Sequence, residues 1–317
     1  MPCYHPITAW RVCGQTKLVF QKPFLPKEEL KIPCGQCIGC RLLKSVIWAT
    51  RCMHEASEYD DNCFITVTYN DKNLPSDHSL NHDHFQRFMK RLRKQIAPTK
   101  IRFFMCGEYG DDTWRPHYHA LIFNYNFPDK IRTQINAVDN PSYISEQLTK
   151  LWPYGNHLIN ELTYDTAAYV ARYVTKKVTG DKAEQHYTRD IIDFNEVTGE
   201  IYNYQEQVQL KPEYAAMSRG GSTETNQNMR GIGYRWFEKY KDDCYPSDYL
   251  IKDGAKIPIP KYYDKLLEEN DEYQLLIMKE KRKIRAQLHE LDYTPERLKA
   301  REICKIKSAE TLKRNKI

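Results

Sequence analysis

Several things are missing from this chain of 317 residues, and each absence narrows its function. No apolar stretch approaches the length needed to span a bilayer. The opening residues Met1-Pro2-Cys3-Tyr4-His5-Pro6 do not place a cationic segment before an apolar run. Neither secretion nor membrane insertion is therefore expected. No Gly-x-x-x-x-Gly-Lys-Ser/Thr phosphate loop occurs, so any step that needs nucleotide hydrolysis must be supplied by a partner. No internal repeat is evident, which removes the repeat architectures. Disulfide scaffolding is also a poor account of the ten cysteines, because three are spaced as a metal-like cluster and the others are scattered.

What is present suits a globular protein with one sizeable core or two modest ones, at 41% hydrophobic residues. The formal charge of +6 is uneven. From Lys279 to Ile317 there are 13 Lys and Arg against 6 Asp and Glu. Affinity for polyanions should concentrate there, unless the basic side chains form only a solvated helix face.

The most informative stretch is Arg115-Pro116-His117-Tyr118-His119-Ala120-Leu121-Ile122-Phe123. On a strand, His117 and His119 project to the same face. Ile101 to Tyr109 reads as a second strand, with Gly110 to Trp114 as the turn, and a hairpin of the two sets Glu108 beside both imidazoles. Two nitrogens and one carboxylate oxygen form a three-ligand site with open positions, as a catalytic divalent ion requires. Asp111, Asp112 and His157 are alternative ligands, although loop carboxylates are usually solvated. Downstream, Tyr169 and Tyr173 are four residues apart, so on a helix they share a face, with Lys176 and Lys177 one turn further on. Helical tyrosine pairs are commonly core residues, and that reading stands beside the functional one.

Other elements follow in order. Prolines 2, 6, 23, 26 and 33 break up the first segment, which ends in Cys34-Gly35-Gln36-Cys37-Ile38-Gly39-Cys40. These thiolates could hold a structural Zn²⁺, with Cys3, Cys13 or His5 closing the tetrahedron; an iron-sulfur cluster or unligated thiols are the alternatives. Ile38 to Glu58 reads as a helix, Cys63 to Tyr69 as a strand whose Thr66 and Thr68 face could meet substrate, and His84 to Lys94 as an amphipathic helix. Thr133 to Trp152 reads as one or two helices broken near Asn140-Pro141, and Gly155 to Tyr164 as a strand. The tyrosine helix is expected to be capped by Asp165 and ended by Gly180. A hairpin turns at Thr198-Gly199, and Ser218 to Asn228 has the composition of a mobile loop. The order implies an α+β fold, an antiparallel sheet with flanking helices. The expected divisions are a Cys-rich segment at 1–45, a core at 46–180, an extension at 181–270 and a basic helical tail at 271–317.

His117-Tyr118-His119 followed by a Tyr-x-x-x-Tyr helix resembles the HUH endonucleases, specifically the two-tyrosine rolling-circle initiators of small single-stranded DNA phages. Phe64-Ile65-Thr66-Val67-Thr68-Tyr69 is similar to the first strand motif of that family, and the three motifs occur in the family's order. Cys34 to Cys40, Gly231-Ile232-Gly233 and Tyr262-Tyr263-Asp264 resemble the gokushovirus branch of Microviridae. The likeness runs from about Cys34 to Asp264.

The resemblance implies an HUH fold and a rolling-circle replication initiator acting on viral origin single-stranded DNA in the host bacterial cytoplasm. It implies Mg²⁺ or Mn²⁺ held by Glu108, His117 and His119, nucleophilic Tyr169 and Tyr173, and a functional lysine at Lys176. Attack by a tyrosine would leave a 5′-phosphotyrosine and a free 3′-hydroxyl, with later strand rejoining and with a host helicase and DNA polymerase as partners. Trp114, Arg115 and Lys177 would contact DNA, Trp114 and Arg115 by stacking an unpaired base, unless they only cover the sheet edge. Tyr262 and Tyr263 are read as core or interface. Two rival readings are a zinc-stabilised single-stranded DNA-binding protein without chemistry, and a single-tyrosine transposase or relaxase on the same scaffold.

Overall fold

The computed structural model describes residues 3–15, 17–111, 113–135, 141–173, 177–178, 180–194, 198–219 and 230–311. It divides into two compact units, Met1–Ile47 with Asp242–Arg314, and Trp48–Lys241. The first unit begins with an antiparallel hairpin of β1 (Ile7–Arg11) and β2 (Glu28–Ile32). Helix α1 (Ile38–Ala56) follows, and the division between the units falls within it.

The second unit holds a seven-stranded sheet made of β3 (Asn62–Thr68), β4 (Arg102–Tyr109), β5 (Pro116–Phe123), β6 (Ile131–Ile135), β7 (Pro141–Ile144), β8 (His157–Asn160) and β11 (Tyr214–Met217). Its order is β11-β4-β5-β3-β8-β7-β6, with antiparallel neighbours throughout. Strand alternation sorts the side chains into two layers. Ile65, Val67, Met105, Tyr118, Ala120 and Ile122 face one way and pack with Phe85, Phe88, Met89 and Leu92 of α2 (His82–Gln95) and with Leu148 and Leu151 of α3 (Glu146–Leu151). Phe64, Phe104, Cys106, Leu121 and Phe123 face the other way, against Ala49 and Cys52 of α1 and Ala167, Val170 and Ala171 of α4 (Tyr164–Tyr173). Between β8 and β3, a Cβ on Gly155 would lie 2.3 Å from the Asn70 nitrogen, so this close backbone approach requires glycine.

Helix α5 (Lys182–Tyr187) leads into a hairpin of β9 (Thr188–Phe194) and β10 (Ile201–Gln209), which turns at Thr198 and Gly199 as the sequence indicates. Helix α6 (Tyr234–Cys244) follows. The first unit is completed by the hairpin of β12 (Leu250–Lys252) and β13 (Ala255–Ile257), then α7 (Lys261–Asn270), α8 (Glu272–Leu288) and α9 (Pro295–Thr311). Tyr263 is buried in α7. Among the described residues, no helix is long and apolar enough to cross a membrane.

The α+β architecture with an antiparallel sheet and flanking helices is the one expected, but two local expectations need correction. Between Thr133 and Trp152 the described residues before Ser145 are strand, β6 pairing with β7, and the expected helix is found only at α3, after Ser145, whose hydroxyl accepts the Leu148 N–H at 3.0 Å. The alternation of Ile131, Thr133 and Ile135 has strand periodicity, and the Ser145 cap delays the helix. Asp165 sits inside the first turn of α4 rather than at its cap. Thr163 and Thr166 cap that end reciprocally, each backbone N–H donating to the other's hydroxyl, at 2.8 and 3.2 Å. Helix α4 is over before Lys177, well short of Gly180. Most of the loop expected at Ser218 to Asn228 lies outside the described residues.

Candidate active site

The ligand triad is assembled by strand register. Glu108 on β4 pairs directly with His117 on β5, and His119 pairs with Cys106 on one side and Thr66 on the other. Facing residues of antiparallel strands point to the same side, so the two imidazoles and the carboxylate converge on the layer covered by α1 and α4. Glu108 Oε1 lies 2.8 Å from His117 Nε2 and 2.9 Å from His119 Nε2. Glu108 is only 1% exposed. Burial by itself would raise its pKa, but hydrogen bonds from His117 and His119 outweigh that and hold the carboxyl below its usual range.

Each imidazole is oriented from behind. His117 Nδ1 faces the Arg115 carbonyl oxygen at 3.1 Å, and His119 Nδ1 meets the Thr66 hydroxyl at 2.9 Å. Because a carbonyl oxygen only accepts, Nδ1 of His117 carries the proton. Nε2 of each ring is thereby turned to the same Glu108 oxygen, so that two ring nitrogens and the carboxylate meet at one point as potential ligand atoms. Ligand atoms at right angles about an ion at ~2.1 Å lie roughly 3 Å apart, close to the separations observed. The three donor atoms all lie within 4.8 Å of one another, and the set of two nitrogens and one oxygen fits a divalent ion with open positions.

Helix α4 packs on this same layer. The Tyr169 ring stands edge-on to the His119 ring at 5.0 Å between centroids, and at 6.3 Å from Phe64. Phe64 also stacks on His119 at 5.6 Å. The Arg172 guanidinium lies 5.8 Å from the Tyr169 ring centre. Tyr173 is the last described residue of α4, one turn beyond Tyr169. Its side chain and all of Lys176 fall outside the described residues, as does Asp112.

Other candidate residues are placed elsewhere. Arg115 donates to the Tyr69 carbonyl oxygen at 3.1 Å and to Asp71 at 2.6 Å. The Trp114 ring is taken up by Tyr109 at 5.7 Å, His186 at 5.4 Å and the Arg189 guanidinium at 3.9 Å, within the layer on the opposite side of the sheet. Lys177 is exposed and lines a cavity of about 280 Å³ with Trp48, Phe104 and Glu213. His157 does not serve as an alternative ligand: it pairs with Val67, hence faces away from the triad, and its Nε2 accepts the Ser145 N–H at 3.0 Å. Thr66 and the Arg115 carbonyl are contacts of the two imidazoles that residue spacing did not single out. The polar Thr66/Thr68 face was the only available signal.

A second constellation lies in the first unit, where Cys3, Cys34, Cys37 and Cys40 present sulfurs within 4.8 Å of one another. The fourth thiol is thus Cys3. Cys13 is exposed and outside the group, and His5 Nε2 instead meets Glu302 at 2.9 Å. Backbone N–H groups donate to these sulfurs: Cys34 to Cys3 at 3.2 Å, Cys37 to Cys34 at 3.3 Å and Tyr4 to Cys37 at 3.3 Å. Burial opposes ionisation of Cys37, but donors led by the Tyr4 and Cys40 backbones bring its thiol down to about 6. Four convergent thiols form a closed donor set suited to a structural metal.

A family model described as replication-associated protein ORF2/G2P matches residues 62–178, the stretch that carries Thr66, the triad and both tyrosines. The chain is 31% identical over 281 residues to replication-associated protein VP4 of Bdellovibrio phage phiMH2K, covering 85% of this chain and 78% of that one. It is 31% identical over 266 residues to replication-associated protein ORF2 of Spiroplasma virus 4, covering 79% and 72%. It is 33% identical over 159 residues to replication-associated protein ORF4 of Chlamydia phage 1, covering 46% and 38%. No solved structure matches the chain. The chain belongs to the family of replication-associated proteins of Microviridae phages.

Proposed function

We propose that this chain is an HUH-type rolling-circle initiator that nicks and rejoins origin single-stranded DNA by tyrosine transesterification. The observation that carries the reading is the Tyr169 ring against His119, on the same face of the sheet as Glu108 and His117. A phenol one ring away from a group able to hold a divalent ion supports attack by that phenol on a phosphate bound there.

Glu108, His117 and His119 would hold Mg²⁺ or Mn²⁺, which when bound draws charge from the non-bridging oxygens of the scissile phosphate. Thr66 and the Arg115 carbonyl keep both imidazoles turned so that Nε2 is the ligand atom. The Tyr169 or Tyr173 oxygen forms a bond to phosphorus as the bond from phosphorus to the 3′-oxygen breaks. The phenolic proton, normally retained to about pH 10, is given up, and the departing 3′-oxygen gains one to become a primer hydroxyl. Lys176 is assigned to ease that proton loss. One phosphodiester replaces another, so rejoining needs no nucleotide hydrolysis. A host helicase and polymerase would supply unwinding and synthesis in the bacterial cytoplasm. With two tyrosines, one can stay attached while the other cuts the regenerated origin. For the four thiols, Zn²⁺ is the proposed ion.

The test is covalent capture of origin single strands with metal present. Tyr169→Phe and Tyr173→Phe should each retain part of the cutting, and the double variant should form no adduct. Undiminished adduct in the double variant, or cutting unchanged in excess chelator, contradicts the proposal. DNA binding without any adduct in the wild type would favour the binder without chemistry.

A further inference from the structure

The contacts around Cys3 reach helix α9, nearly three hundred residues away in sequence. Cys3 contributes a sulfur to the thiol cluster. The next residue, Tyr4, donates its backbone N–H to Cys37 and packs its side chain with Cys37 and Leu298, all three less than a tenth exposed. The residue after that, His5, meets Glu302 at 2.8 Å. Leu298, Glu302, Lys305 and Ala309 recur at helical spacing and are the less exposed stripe of α9, yet Leu298 is the only described residue of that helix that is buried. A cavity of about 330 Å³ remains beside this contact, between Tyr4 and Ala300, Arg301, Cys304 and Lys305.

Among the described residues this cluster has three buried side chains with Cys3, Cys34, Ile38 and Cys40 packed partly buried against them, a small apolar nucleus to hold a strap and a 17-residue helix together. Small units of this kind depend on a staple, and a closed set of thiolates supplies one when a metal is bound. We infer that a metal ion held by Cys3, Cys34, Cys37 and Cys40 is the clasp that docks the basic helix α9 onto the N-terminal strap. The inference rests on the zinc reading of the four thiols and adds a consequence to it. With metal, Cys3 is fixed, Tyr4 and His5 are aligned, and α9 is held through Leu298 and Glu302. Without metal, the strap is released and α9, with Arg297, Lys299, Arg301 and Lys307, becomes open to cleavage.

The experiment uses the full chain and two readouts. Replacement of the native ion by Co²⁺ should give the absorption of tetrahedral thiolate coordination at one ion per chain, and Cys3→Ser should lose it. Limited trypsin digestion should cut after Arg297, Lys299 and Arg301 faster once metal is removed, by on the order of tenfold or more, since cleavage follows the population of the opened helix. Leu298→Ala should keep the Co²⁺ spectrum and speed cutting even in the loaded protein. Absence of the thiolate spectrum would overturn the zinc reading. A normal spectrum with equal cutting in loaded and stripped protein would overturn the clasp alone.

Discussion

The two metal-fitting constellations are built in opposite ways. Glu108, His117 and His119 come from two neighbouring strands near the middle of a seven-stranded sheet, with Thr66 on the adjacent strand holding an imidazole from behind. The four cysteines come from a strap, a turn and the start of a helix, around a small nucleus in which Tyr4, Cys37 and Leu298 are the buried side chains among the described residues. The first geometry is set by backbone register and packed layers, so it exists before any ion arrives. The second is bridged by N–H to sulfur hydrogen bonds, and on the proposed zinc reading it depends on its ion. Rigid scaffolding suits a site that must present a phosphate to a phenol, whereas loop ligands suit a staple.

Substitutions can break this contrast, beginning with the most damaging for cutting. His119→Ala removes a proposed ligand and the buried ring between Phe64 and Tyr169, and is expected to abolish adduct formation while the cavity lowers the melting temperature without preventing folding. Gel analysis of the covalent adduct together with a thermal melt checks both halves. A loss of folding instead of chemistry would make His119 a core residue. Thr66→Val keeps the shape of the strand but frees His119 Nδ1, and should weaken metal affinity or cutting by about 10–100-fold, as for other outer partners of metal ligands. Titration of cutting against Mn²⁺ reads this directly, and recovery at high Mn²⁺ is expected. Cys34→Ser should reduce cutting less than Thr66→Val does, while removing bound zinc and exposing α9 to trypsin. A reversed order would mean that the chemistry depends on the staple.

The smallest effect concerns acid. His54 stacks on Trp236 at 3.4 Å, and burial lowers its pKa to about 3. In the unfolded chain it titrates near 6.5, so between roughly pH 6.5 and 3 the unfolded state binds the extra proton. The sheet-bearing unit should therefore lose stability as pH falls through that window, and His54→Phe should flatten the slope of melting temperature against pH. An unchanged slope would assign the acid sensitivity elsewhere.

Residue spacing revealed the triad because its decisive relations are local: a period of two places His117 and His119 together, and a short turn returns Glu108 to them. The two-tyrosine helix was legible for the same reason, from its spacing of four. Thr66 escaped because its role depends on β3 lying beside β5, a pairing between segments 53 residues apart. Cys3 could not be chosen over Cys13 or His5 without the fold, since the choice is made by packing at Tyr4 and by the His5 contact with Glu302. The stretch from Thr133 to Trp152 was misread because short apolar spacings fit either period, and the Ser145 cap marks the true start of the helix. Trp114 was expected near the histidines on sequence proximity, but its φ of 53° belongs to the turn that carries its ring to the opposite layer.

The central claim is that a phenol of α4 becomes bonded to a backbone phosphate presented at the Glu108, His117 and His119 site. It is tested most directly by mass spectrometry of a peptide spanning Tyr169 and Tyr173, after incubation with origin single strands and Mn²⁺. The account predicts a nucleotide mass on one of the two tyrosines, lost when Glu108 is replaced by Gln. An unmodified peptide from reactions in which the DNA has been cut would contradict it.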